Sequence, residues 1–403
     1  MAARSGRSGS QRTLAQTGSK RVLALVLVAL GALLIAAALM IAFFMKPRLE
    51  KTPLSLEVTT VSTTKSADTI VPESITSPTG AAQVDHNVPV VVQTFITVED
   101  PSDANKMTLQ AGTTTRRTDK QGDTGLLDAT VDRVTIDRKT GMPVDDPVGT
   151  IQTEGNAPGA EVQHTGLQYR FPFGTEEKSY PFFDVDARQS FPINFVEKAE
   201  INGLPVYHFA QKIAPVDMST VPGVVGGKLA LPAEKWGVAG GPQIVTMTRW
   251  YANDRDLWVE PKTGTIVKET DNENQYFART ADKPEVTLFK ANLSYDENTI
   301  EAQISKAKDG IDKLSLYGRI IPIVVGIIGA ILLIVGVLLG FRGGSTDRPA
   351  ARRRPAPSGT PQSTATPPRP APAAPQAERP QTSRDWTTDK TEEIPVHREE
   401  PPQ

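Results

Sequence analysis

Residues 22–45 read VLALVLVALGALLIAAALMIAFFM, without one charged side chain. At about 1.5 Å of rise per residue, a helix of this length reaches about 36 Å, enough to cross a hydrocarbon layer of about 30 Å with some tilt. A helix in a soluble core would carry a polar face over so many turns. A cleavable signal peptide would have a shorter apolar stretch ending at small residues. Here the alanines at 36–38 lie inside the run, and the exit is bulky: Phe43, Phe44, Met45, Lys46, Pro47. The segment reads as an uncleaved anchor.

A second run, residues 320–341, reads IIPIVVGIIGAILLIVGVLLGF. Pro322 falls in its first turn, where the missing N–H costs little. Gly336 and Gly340 have the spacing that lets helix backbones approach closely in lipid, though glycine is also ordinarily enriched in membrane helices. Arg4, Arg7, Arg12, Lys20 and Arg21 precede the first run, and Arg342, Arg348 and Arg352 to Arg354 follow the second. Cytoplasmic flanks collect Lys and Arg, so both termini are expected inside and residues 46–319 outside. Lys46, Arg48 and Lys51 weaken the first contrast, but a loop this long translocates largely regardless of charge.

The expected order is a basic cytoplasmic N-terminus (1–21), a transmembrane helix (22–45) and an extracytoplasmic β-rich domain (46–297). An amphipathic juxtamembrane helix (298–319), a second transmembrane helix (320–341) and a cytoplasmic tail (342–403) follow. The tail holds thirteen of the 33 prolines and few large apolar residues. Such a composition buries too little surface to offset its ordering entropy, so disorder is expected there. Trp386, isolated among acids, is either a docking point for a cytoplasmic partner or incidental. In the juxtamembrane segment, Asn298 and Glu301 have capping-box spacing. Ile300, Ile304, Ala307, Ile311 and Leu314 then form one apolar stripe. That stripe packs on its own domain or forms a self-associating stalk.

Between the two runs, strand signals dominate: 88–98, 106–118, 126–137, 193–199, 204–212, 243–252 and 285–295 are rich in β-branched and aromatic residues. Two hairpins are read at Asp137-Arg-Lys-Thr-Gly141 and Glu260-Pro-Lys-Thr-Gly264, where glycine supplies the positive φ of the turn. The expected class is mainly β, antiparallel, a sandwich or partly closed barrel with a few helices, flanked by two transmembrane α-helices.

Residues 169–195 hold eight of the 24 aromatics, interleaved with Pro172, Pro181 and Pro192, which argue against a long regular element. An aromatic cluster of this kind is a core plug or the wall of an apolar pocket for an acyl chain. Tyr169, Phe171, Phe173, Tyr180, Phe182, Phe183 and Trp236 are the candidate ligand-binding residues. The glycine-rich stretch 221–241 carries Trp236, and it is read as a mobile, greasy loop that gates the pocket. Its Gly226-Gly227-Lys228 is followed by leucine, not the Ser or Thr a P-loop needs.

Composition excludes several functions. Charged residues are 22% and the formal net charge is −2, which gives no basic field for nucleic acid. Without cysteine there is no disulfide and no thiolate ligand or nucleophile. The histidines, His86, His164, His208 and His397, are far apart, so no metal site is expected. The acid pairs Asp145/Asp146 and Asp184/Asp186 are common in turns, and no hydrolase signature accompanies them. No catalytic residue, metal or cofactor is assigned, and the chain is not read as an enzyme.

YRFPFGTEEKSYPFFD at 169–184, FPINFVEKAEINGLPVYHF at 191–209 and WVEPKTGTIVKE at 258–269 resemble an actinobacterial envelope family, a domain of unknown function or PorA family. Within it, the polar-growth-factor type is nearest. The resemblance spans roughly residues 22–341. It implies a periplasmic domain that binds trehalose monomycolate, partnership with an inner-membrane RND-type mycolate exporter, and a role in mycomembrane assembly and polar growth.

The expectation is therefore a plasma-membrane protein whose periplasmic domain binds or relays a glycolipid or other acyl ligand. A structural scaffold for envelope machinery, with homo-oligomers among its forms, is the alternative. A porin is the weakest reading on physical grounds. A membrane barrel needs about eight or more strands and no long apolar helix, and neither apolar run has a polar face to line a pore.

Overall fold

A Thr- and Val-rich chain of alternating polarity can satisfy its backbone only by pairing with neighbours. Here thirteen strands pair into one sheet. The computed structural model describes residues 9–144 and 146–342. The proline-rich tail with Trp386 lies outside the described residues, as does Asp145. In chain order the strands are β1 (Glu57–Ile70), β2 (Val84–Glu99), β3 (Lys106–Arg117), β4 (Leu126–Asp137), β5 (Thr150–Gln152), β6 (Ala160–Glu161) and β7 (Tyr180–Asp184). They continue with β8 (Gln189–Ile201), β9 (Leu204–Asp217), β10 (Lys228–Pro232), β11 (Ile244–Glu260), β12 (Thr265–Ala278) and β13 (Val286–Tyr295). The helices are α1 (Gly9–Leu49), α2 (Pro72–Thr76), α3 (Ala233–Trp236), α4 (Glu297–Ser315) and α5 (Ile321–Arg342).

The strands order as β6-β5-β4-β3-β2-β1-β13-β12-β11-β9-β8-β7, with β10 paired to the start of β11. Every ladder between these strands is antiparallel. The antiparallel class holds, but the strands form one sheet, not the two of a sandwich, and not a closed barrel. No ladder joins β6 to β7. Segment 162–168 spans that gap instead. Val162 N donates to Gly149 O near β5, and Leu167 forms a parallel bridge to Phe182 of β7. The sheet thus curls on itself without closing. β1 lies outside the expected strands because in its Thr- and Ser-rich sequence the large apolar residues are only Val58, Val61 and Ile70.

Both hairpin turns form, and by the same chemistry. Asp137 Oδ1 accepts from the backbone N–H groups of Lys139 and Thr140, and Glu260 accepts likewise from Lys262 and Thr263. Gly141 and Gly264 sit at φ 73° and 72°. Gly264 has a second constraint. A Cβ there would overlap the carbonyl oxygen of Phe171, whose N–H donates to Gly264 O at 2.9 Å. Gly264→Ala should therefore destabilise by about 2–3 kcal/mol, from the left-handed backbone and the displaced core segment together, measurable by chemical denaturation.

Two expectations about proline and the glycine-rich stretch change. β8 runs thirteen residues through Pro192. Pro192 stands directly opposite Pro181 of β7, and pairing with β9 begins only at Ile193, so the missing donors break no rung. Residues 221–241 are not a mobile loop along their length. β10 and α3 occupy the centre, and Trp236 is 3% exposed, packed on Met247 and Phe277, with Nε1 donating to Val245 O at 2.9 Å.

The helices split into two roles. α4 is capped by Asp296, not Asn298: its side chain accepts from Thr299 N at 2.8 Å. Its stripe (Ile300, Ile304, Ala307, Ile311) packs on Leu204, Val206 and Val267, so it belongs to its own domain. α4 passes through one π-helical turn, Leu316–Ile320, into α5. α1 and α5 are long and apolar enough to cross a membrane by length and composition. They pack antiparallel: Ala38 faces Gly326, Gly31 meets Gly329 and Leu333, and Ala24 and Val28 meet Gly336. The close glycines on α5 are Gly329 and Gly336, two turns apart, while Gly340 faces open space. The helix pairing thus does not use the 336/340 motif.

Candidate functional site

Inside the curl, β11 and β12 turn charged side chains inward. Strand alternation puts Arg249, Tyr251, Asn253 and Arg255 on one face, and the register sets Asn253 opposite Glu273 and Arg255 opposite Asp271. Arg255 is the hub. Its Nε donates to Asp271 Oδ1 at 2.7 Å, Nη2 lies 3.2 Å from Asp184 Oδ2, and Nη1 donates to Gln211 Oε1 at 3.1 Å. Glu269 approaches Nε at 3.5 Å. Asp184 also accepts from Tyr251 Oη at 2.8 Å and from Ala187 N at 2.8 Å.

This network ends at a cavity of about 650 Å³. Asp186, Glu269 and Arg255 line its inner end; Arg48, Lys51, Lys306 and Lys313 line the end beside α4 and the exit of α1. Protein surrounds Asp186, yet the cavity keeps its carboxylate open to solvent. Burial, and then the charge of Asp184, push the Asp186 carboxyl up to about 7. Burial and Asp271 likewise raise Glu269 to about 7. Glu273 is raised well above its usual value by burial first and the charge of Asp186 next. Arg170, also on the wall, has no carboxylate partner among the described residues. Its guanidinium donates to the carbonyls of Phe171 and Thr263 and to the Thr52 hydroxyl, and burial lowers it to about 10.

A second buried network stitches the seam. Asp132 of β4 accepts from His164 Nε2 (2.9 Å), Gln168 Nε2 (2.7 Å) and Tyr169 Oη (2.7 Å). Burial raises the Tyr169 phenol well above its usual value, with Asp132 adding to the shift.

Of the candidate residues, Tyr169, Phe173, Phe182 and Phe183 line the cavity. Phe171 and Tyr180 pack against Phe209 in the main apolar core, Tyr180 edge-on. Trp236 belongs to a separate cluster. The aromatic segment is thus part core and part wall. The charged residues opposite it, Arg255, Glu269, Asp271 and Glu273, were missed. Their signal was a pair of strands polar on both faces: Asp254, Asp256 and Asn272 alternate with the inward set.

An antiparallel sheet curled around a cavity with charged groups at both ends, joined to a pair of long apolar helices, defines the class: a curled-sheet protein with two candidate membrane helices. The sequence family described as Porin PorA matches residues 23–338, and the chain belongs to that family. A Porin PorA of Corynebacterium amycolatum is 28% identical, the match covering 80% of this chain and 98% of the relative. One of Corynebacterium resistens is 31% identical, covering 64% and 77%. The family confirms the resemblance carried by the aromatic and hairpin segments. It overturns the glycolipid-relay reading and the ranking of the porin as weakest, because the relatives are named as porins.

Proposed function

We propose that this chain is a channel-like, non-enzymatic protein of the cell envelope, anchored in a bilayer by α1 and α5, whose curled sheet holds a solvent-open cavity with charged groups at both ends. The observation that carries this reading is the solvent-open cavity ending at Asp186, Glu269 and Arg255. An acyl chain laid against those groups would strip water from charges at a cost of several kcal/mol, on the order of the penalty for each poorly compensated buried ion. Water and small solutes meet no such penalty. The porin name of the relatives points the same way.

Both helices are apolar on every side, so a single copy does not enclose a wet path through hydrocarbon. The proposal places that path in a closed assembly of copies around one axis. Because α1 and α5 are antiparallel, crossing a bilayer would leave the start of α1 and the end of α5 on one side, and the tendency of Lys and Arg to collect on cytoplasmic flanks supports a cytoplasmic side for both. Purified full-length chain, added to planar lipid bilayers, should give stepwise ionic currents. Protein that inserts, as judged by flotation with liposomes, yet passes no current above the lipid alone would overturn the reading.

A further inference from the structure

We propose that the inner end of the cavity binds a monovalent cation, an alkali ion or a primary ammonium, at Asp186. The site lies in the interior on which the channel reading rests; its test measures binding without current, so either can fail alone.

Three observations converge on it. First, Asp186 makes no hydrogen bond or ion pair among the described residues, although it lines the cavity. The cations near it are committed elsewhere. Arg255 serves Asp184 and Asp271, Arg249 donates to Gln275 Oε1, and Arg188 donates to Pro222 O. Second, three carboxylates and three guanidinium groups surround this carboxylate, so Asp186 itself is the charge in excess. From its own hairpin it faces Asp184 and Arg188, from β4 Asp128, from β11 Arg249, Tyr251 and Arg255, and from β12 Glu273. Third, two buried oxygens here lack any donor. Gln168 and Asn253 are each 3% exposed, and their amide nitrogens are given to Asp132 and Asp271. That leaves Gln168 Oε1, on the cavity wall, and Asn253 Oδ1, within the acidic network, without a partner. A native fold rarely leaves buried acceptors unmet.

An unpaired carboxylate in a cavity whose wall also carries an unmet acceptor, Gln168 Oε1, asks for a cation that brings donors or accepts oxygen ligands. A chelated divalent ion does not fit. Among the described residues no three His, Asp or Glu side chains converge as metal ligands. An alkali ion that keeps part of its water, or an ammonium with three N–H donors, fits a cavity this size.

The test is thermal unfolding of the detergent-solubilised full chain in potassium chloride, methylammonium chloride and N-methylglucamine chloride at equal ionic strength. The last cation is the bulky reference. The midpoint should rise by about 2–5 °C in potassium or methylammonium once the ion is in about tenfold excess over its dissociation constant. Which of the two acts identifies the source. The rise should be present at pH 8 and diminished at pH 6, because the Asp186 carboxyl is protonated below about 7. Asp186→Asn keeps the shape and removes an unpaired charge, so it should fold and lose the rise. An equal rise in wild type and Asp186→Asn, or no rise with either small cation in the wild type, would overturn the proposal.

Discussion

Arg255→Leu is expected to destabilise the sheet domain by about 3–5 kcal/mol at pH 8, the cost of removing one partner from a buried ionic cluster. Asp184, Asp271 and Glu269 would all lose their shared cation, and Asp184 is only 1% exposed. Leucine also leaves Gln211 Oε1 without the donor it has now. The pH dependence follows from sign. Asp186 and Glu269 titrate at about 7 in the folded chain, above their usual 3.8 and 4.5. Between those limits the folded state binds more protons than the unfolded one, so stability falls as pH rises through 7. Removing Arg255 raises the carboxyl groups further and steepens that fall. The variant should accordingly recover much of its loss at pH 5.5. Urea denaturation of the full chain at both pH values checks this, and an equal loss at each would contradict the charged-interior account.

Asp132→Ala is expected to cost about as much, roughly 3–5 kcal/mol, for a different reason: one carboxylate satisfies three buried donors. Alanine orphans the His164 ring, the Gln168 amide and the Tyr169 hydroxyl together. Tyr169 already holds a left-handed backbone at φ 62°, and the bond to Asp132 is part of what keeps it there. These donors lie in the segment that spans the gap between β6 and β7, so the loss should be local first. Limited proteolysis should begin within residues 153–175 in the variant and not in the wild type, alongside a lowered denaturation midpoint. Glu161→Ala, exposed at the same edge, should change stability by no more than about 0.5 kcal/mol.

The two apolar runs, most strands and both Lys-Thr-Gly hairpins were legible because each is set by local chemistry. A run without charge has its helix length fixed by residue count, and an acid four residues before a glycine makes its own turn bonds. The aromatic segment was legible as a cluster, and the family resemblance rested on it. Its division was not. Phe171 became core and Phe173 wall because Gly264, ninety residues on, admits the Phe171 carbonyl.

By itself, the sequence determined that this chain has two apolar helices around an antiparallel β domain, since hydrophobic run length and strand period are properties of neighbouring residues. Only the tertiary structure decided which side of the sheet faces inward. Arg255, Glu269, Asp271 and Glu273 look in sequence like an ordinary solvated strand face. They become a buried ionic network, with Arg255 and Glu269 reaching the cavity, because the sheet curls until segment 162–168 bridges its edges, and curling turns a face with no local mark into an interior.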